Sequence, residues 1–323
     1  MTLRGLECSE TNGTLFGAPG PTVAIDGCGG TVAFEECVVK DGHPALRVVQ
    51  CDKVFINKSS FQGGDGALQD NVMIGVGAGI RITDSKVAIY DSQVVGGDGA
   101  IGQSKPVTVP SGSGGDAILV QTSFVTVANC SLQGGDGAAA YPVGNFSCPN
   151  PGYGGAAVRV NGLQSSVYVL FTLVSPGITG ALLPGCPVVP ILTDSYEAAP
   201  ETLFLLPYSA HEASVESPVR AGQSVQLSFV GEPSEPVLLF FSGSADFTTF
   251  PKMLDVLLPG APFQWAYLGN LGGNGQMGFS IKLPLLPPGL DAATIFTQAA
   301  FAKPSGHIFM AGPSTLTVIH QQF

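Results

Sequence analysis

The stretches Phe61-Gln-Gly-Gly-Asp-Gly-Ala67, Val94-Val-Gly-Gly-Asp-Gly-Ala100 and Leu132-Gln-Gly-Gly-Asp-Gly-Ala138 are copies of one heptapeptide. Aligned on them, the upstream residues fall into columns. The first column reads Leu46, Ile80, Ile118 and Val158, and two residues on stand Val48, Ile82, Val120 and Val160. A second pair of columns holds Val54, Val87, Val125 and Val167, then Ile56, Ile89, Val127 and Val169. A third inward column is Phe61, Val94, Leu132 and Val174. Apolar residues at every second position are the mark of a strand with one buried face. Arg47, Arg81, Leu119 and Arg159 in the first strand, and Phe55, Ala88, Thr126 and Tyr168 in the second, therefore point outward.

A fainter copy precedes these, with Val23 and Ile25, Val32 and Phe34, then Val39. The interval between copies lengthens along the chain, and only the piece after each Gly-Gly turn grows. Three short strands per repeat, each with an inward column, predict a parallel β-helix, with strands stacked about 4.8 Å apart. The crossover rule predicts a right-handed coil. From Glu201 the pattern changes to short strands between Gly/Pro turns, such as Ser224–Val230, Pro236–Phe241, Met277–Lys282, Ala293–Phe301 and Ser314–Ile319. These predict a small antiparallel β-sandwich. The expected organisation is a lead-in or cap over residues 1–21, the β-helix over 22–195 and the sandwich over 201–323.

The columns and turns resemble the right-handed parallel β-helix proteins of the pectate-lyase-like superfamily. That superfamily includes lyases, hydrolases, epimerases, adhesins and inert stalks, so the resemblance implies a fold and not one reaction. Gln298-Ala-Ala-Phe-Ala-Lys-Pro-Ser-Gly306 followed by Ser314–Ile319 is similar to a C-terminal β-sandwich module of large secreted bacterial proteins. This resemblance implies an extracellular or cell-surface location.

Composition narrows the function. With 24 acidic against 13 basic residues, a net charge of −11 and no Lys/Arg run, the chain is unsuited to phosphate backbones, which excludes nucleic acid. Charged residues are only 11% while Gly numbers 44 and Pro 25, a balance of strands and turns rather than amphipathic helices. No uninterrupted apolar run predicts a membrane span, and the first residues lack the apolar core of a signal peptide. The expectation is a cytosolic chain or a mature secreted segment, and the scattered cysteines favour the second.

The carboxylates Asp65, Asp98 and Asp136 form one column, where superposed charges repel unless a cation or hydrogen-bond donors intervene. Calcium is one reading. The other is that each carboxylate accepts backbone N–H groups of its own Gly-rich turn. The arginines Arg47, Arg81 and Arg159 either cover a strand face with their stems or form a stripe for an acidic polysaccharide. The outward column Phe55, Ala88, Thr126 and Tyr168 supplies no general acid and base, and the nearest charged groups are Asp52 with Lys53 and Asp84 with Lys86. The histidines, His43, His211, His307 and His320, show no metal or triad spacing. Asn12, Asn57, Asn129 and Asn145 begin glycosylation sequons, but Asp91 and Asn129 share a column in which a side-chain oxygen turns the chain between sheets.

Of seven cysteines, Cys28 and Cys51 fall on adjacent rungs, so a disulfide between them is expected. Cys37 and Cys130 share a column with Ser59, Ser92 and Thr172 and are expected to be reduced or paired elsewhere; Cys148 with Cys186 is a further possible pair. The loops that lengthen the rungs carry Val72, Met73 and Ile74, then Val107 and Val109, then Tyr141, Phe146 and Tyr153. Stacking places them on one edge, where they either cover the coil or dock another subunit or, through the aromatics, a sugar. The mean hydropathy of +0.33 favours docking. The leading expectation is a non-catalytic structural or adhesive protein, self-associating into a fibre or surface layer or contacting other surface proteins. The alternatives are a carbohydrate-active enzyme, either polysaccharide lyase or glycosidase, and a glycan-binding module.

Overall fold

The computed structural model describes residues 1–9, 20–69, 72–102, 111–140, 150–182, 194–206, 211–248 and 256–322. Among them there is no helix, and the protein is all-β. The first part forms three parallel sheets, visited in turn. The first sheet stacks Val23–Asp26, Leu46–Val49, Ile80–Thr83, Ile118–Gln121, Val158–Asn161 and Tyr196–Glu197. The second stacks Thr2–Arg4, Thr31–Glu35, Lys53–Asn57, Lys86–Tyr90, Phe124–Ala128, Ser166–Leu170 and Leu203–Leu206. The third stacks Glu7–Ser9, Val38–Gly42, Ser60–Gly63, Gln93–Val95, Ser131–Gln133 and Leu173–Ser175. The register is that of the sequence columns, with Leu46 opposite Ile80, Ile80 opposite Ile118 and Ile118 opposite Val158. The inward columns close into one core in which Val48, Ile56, Phe61, Ile82, Val94 and Leu132 are fully buried. The parallel sheets run past both expected boundaries: Thr2–Arg4 pairs with Thr31–Glu35, and Leu203–Leu206 pairs with Ser166–Leu170.

Sharp corners between sheets require left-handed backbone, and it recurs in two columns. Gln50, Asp84 and Thr122 turn the first sheet into the second, and Glu36, Lys58, Asp91, Asn129 and Phe171 turn the second into the third, all at positive φ. Each corner is followed by a ladder of hydroxyls. The Ser85 Oγ accepts from the Cys51 amide and donates to the Thr83 carbonyl, and Ser123 does the same for Ser85 and Gln121. At the other corner Ser59 serves Cys37 and Asn57, and Ser92 serves Ser59. The cysteines Cys37, Cys51 and Cys130 occupy ladder positions and donate Sγ–H to the carbonyl two residues earlier, as the serines do. Cys28 and Cys51, which the column arithmetic pairs, stand as free thiols: no S–S bond joins them, and each Sγ–H is directed at the carbonyl two residues earlier. Cys148 and Cys186 lie outside the described residues.

The Gly-Gly-Asp-Gly segments do not simply leave the parallel sheets. Outgoing and returning legs interleave through a continuous run of N–H to carbonyl bonds, from Gly64 to Gly42, Gly77 to Gly64, Gly97 to Gly77, Gly115 to Gly97, Gly135 to Gly115, Gly155 to Gly135 and Gly177 to Gly155, at 2.7–2.9 Å. Glycines recur at a spacing of three, as in Gly96 and Gly99, Gly112 and Gly115, Gly134 and Gly137, and Gly152 and Gly155. Only glycine fits where the backbones of such legs approach this closely. A Cβ on Gly97 would stand 2.0 Å from the Gly64 oxygen, and one on Gly155 1.9 Å from the Gly115 oxygen. The lengthening loops are thus, at their bases, a second bonded layer beside the three sheets.

The second part is sandwich-like. One sheet joins Glu212–Val215, Ser224–Val230 and Gln276–Lys282; the other joins Val219–Arg220, Ser314–Ile319, Ala292–Ala302, Pro236–Ser242 and Gln264–Asn270. Pairing is antiparallel except between Val219–Arg220 and Ser314–Ile319. Val225, Phe229, Val237, Leu239 and Phe301 form its core. Inside it His211 Nε2 lies 2.8 Å from Glu235, stacked on Phe309, and Lys303 reaches Glu232 and Glu235.

Candidate functional site: a groove beside an aromatic run

The outer face of the second sheet carries three columns, and their burial decides what the face can do. The column Glu35, Asn57, Tyr90, Ala128 and Leu170 is buried, as are Ala33, Phe55, Ala88 and Thr126 in the next. They point outward as their sequence position predicts, yet not to water. Ala245, Val256 and Leu258, from the hairpin of Ala245–Thr248 with Leu257–Pro259, pack on them, and Phe296 meets Phe55 edge-on at 5.5 Å. Polar clamps fix the register. Glu35 accepts from the Thr315 amide at 3.1 Å and from its hydroxyl, and Asn57 donates to the Pro313 carbonyl at 2.6 Å.

Cover ends toward the last rungs. Phe124 and Tyr168 are half-buried and Phe204 is 37% exposed, enough to present ring surface to solvent. Their rings form a run, Phe124 to Tyr168 at 5.6 Å and Tyr168 stacked on Phe204 at 4.8 Å. Beside Phe124 lies a groove of about 320 Å³ lined by Asp52, Asp84, Lys86, Thr122, Gln164 and Ser166 among others. It follows the corner between the first and second sheets across successive rungs. The pairs Asp52 with Lys53 and Asp84 with Lys86 are therefore brought together by stacking, and Lys53 reaches Asp246 of the hairpin at 3.3 Å. Burial works to raise the Asp246 carboxyl, but the Phe247 amide and the Lys53 ammonium outweigh it and hold the group below its ordinary range. Thr122 and Gln164 escaped the sequence reading; the corner column of Gln50, Asp84 and Thr122 was the signal that could have found the first.

The carboxylate column has its donors, but from the next rung rather than from its own turn. Asp65 accepts from the Asp98 amide at 2.8 Å, Asp98 from the Asp136 amide at 2.7 Å and Asp136 from the Ile178 amide at 2.7 Å. Among the described residues no group of three or more His, Cys, Asp or Glu side chains is placed to hold a metal. Of the arginines, Arg47 pairs with Asp26 at 2.7 Å and Arg159 with Asp116 at 2.7 Å and with Glu197. Hydrogen bonding to Asp116, against some desolvation, raises the Arg159 guanidinium further. Val107, Val109, Tyr141 and Phe146 lie outside the described residues, as do Asn12 and Asn145. Val72–Ile74 forms a hairpin with Ala67–Gln69, and Tyr153 is exposed. Asn57 is buried against Pro313, and Asn129 gives its amide to Asp91, so neither sequon presents a free side chain.

No protein-family description and no curated protein matches the chain. Among solved structures it is similar, over 34% of its length and 80% of the other chain, to the superoxide reductase (neelaredoxin) from Ignicoccus hospitalis, at 14% identity and a TM-score of 0.21. It is also similar to Spo0M, the sporulation control protein from Bacillus subtilis, over 35% of its length and 51% of that chain, at 12% identity and a TM-score of 0.21. At these scores neither likeness carries an argument. No helix among the described residues is long and apolar enough to cross a membrane.

Proposed function

We propose that this chain is a non-catalytic extracellular adhesive protein, a right-handed parallel β-helix braced by its β-sandwich, whose corner groove binds glycan. The observation that carries the reading is the aromatic run Phe124, Tyr168 and Phe204 beside a groove lined by Asp84, Lys86 and Gln164. Flat rings stack on the apolar faces of sugar rings while the polar lining bonds hydroxyls. The rest of the outer face is occupied by the sandwich, which favours a rigid binding scaffold over an open catalytic cleft. Wild type, Tyr168→Ala and Phe204→Ala, each first checked for an unchanged far-UV spectrum, are to be compared on a panel of neutral and acidic polysaccharides by affinity electrophoresis. Retardation of the wild type, weakened about tenfold by either variant, is expected. No retardation by any glycan, equal retardation of all three proteins, or release of new reducing or unsaturated ends would overturn the reading.

A second reading, self-association into a fibre or surface layer, is favoured by Leu163, Phe171, Leu173, Ile178 and Leu205, all exposed around the last rungs. Light scattering after size exclusion tests it: a monomer at high concentration removes it, and a concentration-dependent mass abolished by Leu173→Ser supports it.

A further inference from the structure

Where the sandwich meets the second corner, two oxygens face one buried spot with no donor between them. Asp91 Oδ2 and Asn57 Oδ1 are both buried and lack hydrogen-bond partners. Both lie against Gly312, where a Cβ would stand 2.7 Å from the first and 3.0 Å from the second. The Asn57 amide cannot turn over to offer its NH2 group, because Nδ2 is committed to the Pro313 carbonyl at 2.6 Å and the flip would set oxygen against oxygen. The other Asp91 oxygen, Oδ1, already accepts from Asn129 Nδ2 at 2.5 Å.

A proton, a cation or a water must lie between such acceptors, since a buried acceptor pair left bare costs free energy. Calcium seeks six to eight oxygens, and here Asn57 and Asn129 turn their NH2 groups to other partners. One proton on Asp91 satisfies both oxygens at once. We propose that Asp91 is held as the neutral carboxylic acid, donating from Oδ2 to Asn57 Oδ1, so that the sandwich docks most firmly on the parallel sheets in acidic surroundings. This is independent of the glycan reading.

The charges facing Asp91 come from both modules. Glu212 of the sandwich, 3.5 Å from Asn129 Nδ2, disfavours a second negative charge, while Lys58, in the same corner column, favours it. Burial dominates, and against the Asn129 hydrogen bond it leaves the Asp91 carboxyl pushed up to about 6. The folded value exceeds the unfolded one. The stabilisation is therefore fully present below the ordinary aspartate value and is lost as pH rises through about 6.

The test compares urea unfolding of wild type and Asp91→Asn between about pH 4 and about pH 8. Asparagine suits the site, because Asn129 occupies the next position of the same left-handed column. Relative to Asp91→Asn, the wild-type unfolding constant is expected to rise about a hundredfold across that range. Parallel profiles for the two proteins would overturn the proposal. So would calcium raising the wild-type midpoint near neutral pH without effect on the variant, since the occupant would then be a cation. If the variant does not fold, 13C titration of wild-type aspartate carboxyls decides: one titrating near 6 supports the inference, and all titrating in the ordinary range overturns it.

Discussion

Replacing Gly97 by alanine strikes the point where the outgoing leg of one rung rests on its neighbours. The added Cβ would lie 2.0 Å from the Gly64 carbonyl oxygen and 2.5 Å from its carbon, both backbone atoms that cannot swing aside. Restoring a 3.4 Å contact needs a displacement of 3.4 − 2.0 = 1.4 Å. That movement breaks the bonds from the Gly97 amide to Gly77 at 2.9 Å and from the Gly115 amide to Gly97 at 2.8 Å. Two buried main-chain bonds at about 1 kcal/mol each, plus about 2 kcal/mol for overpacking, give a loss of about 4 kcal/mol. For a chain of this size the melting temperature should fall by about 6 °C. Gly75→Ala is the control, since a Cβ there meets nothing within 4 Å. It should be neutral or slightly stabilising through the unfolded chain. Thermal unfolding followed by circular dichroism reads both. If Gly97→Ala melts with Gly75→Ala, the interleaved legs are wrong.

The hydroxyl ladders make a paired prediction: Ser85→Ala should lose about 1–2 kcal/mol in urea unfolding, because the Cys51 amide loses its acceptor, whereas Cys51→Ser should change stability by less than about 0.5 kcal/mol. A large loss in Cys51→Ser would show that the thiol is not a hydroxyl surrogate. Burial pushes the Cys51 thiol up, with Cys28 beside it, so a thiol reagent at neutral pH should modify native Cys51 more slowly than the unfolded chain; equal rates would contradict this. Glu35→Ala removes both links to Thr315 across the module interface and should cost about 3 kcal/mol, with faster hydrogen exchange at the Thr315 amide than in wild type. Unchanged exchange there would show that the clamp is not formed.

Period-two columns and a repeated Gly-Gly-Asp-Gly turn fixed the strand register, because a slip of one residue would turn every inward valine outward. Leu46, Ile80, Ile118 and Val158 could be lined up on paper for that reason, and so could the corner that holds Asp84 and Lys86. Local pattern also carried the position of Cys37 among Ser59, Ser92 and Thr172, though not the meaning of that position, since the ladder bond runs to a neighbouring rung. What the sequence could not decide was what covers an outward face. Phe55 and Ala88 read only as outward-facing residues until the sandwich, some two hundred residues later, packs on them. The same contact buries Asn57 and Asp91 and leaves Phe124, Tyr168 and Phe204 at its margin. Docking between modules depends on the summed shape of two surfaces far apart in the chain, and no periodicity within either one encodes it.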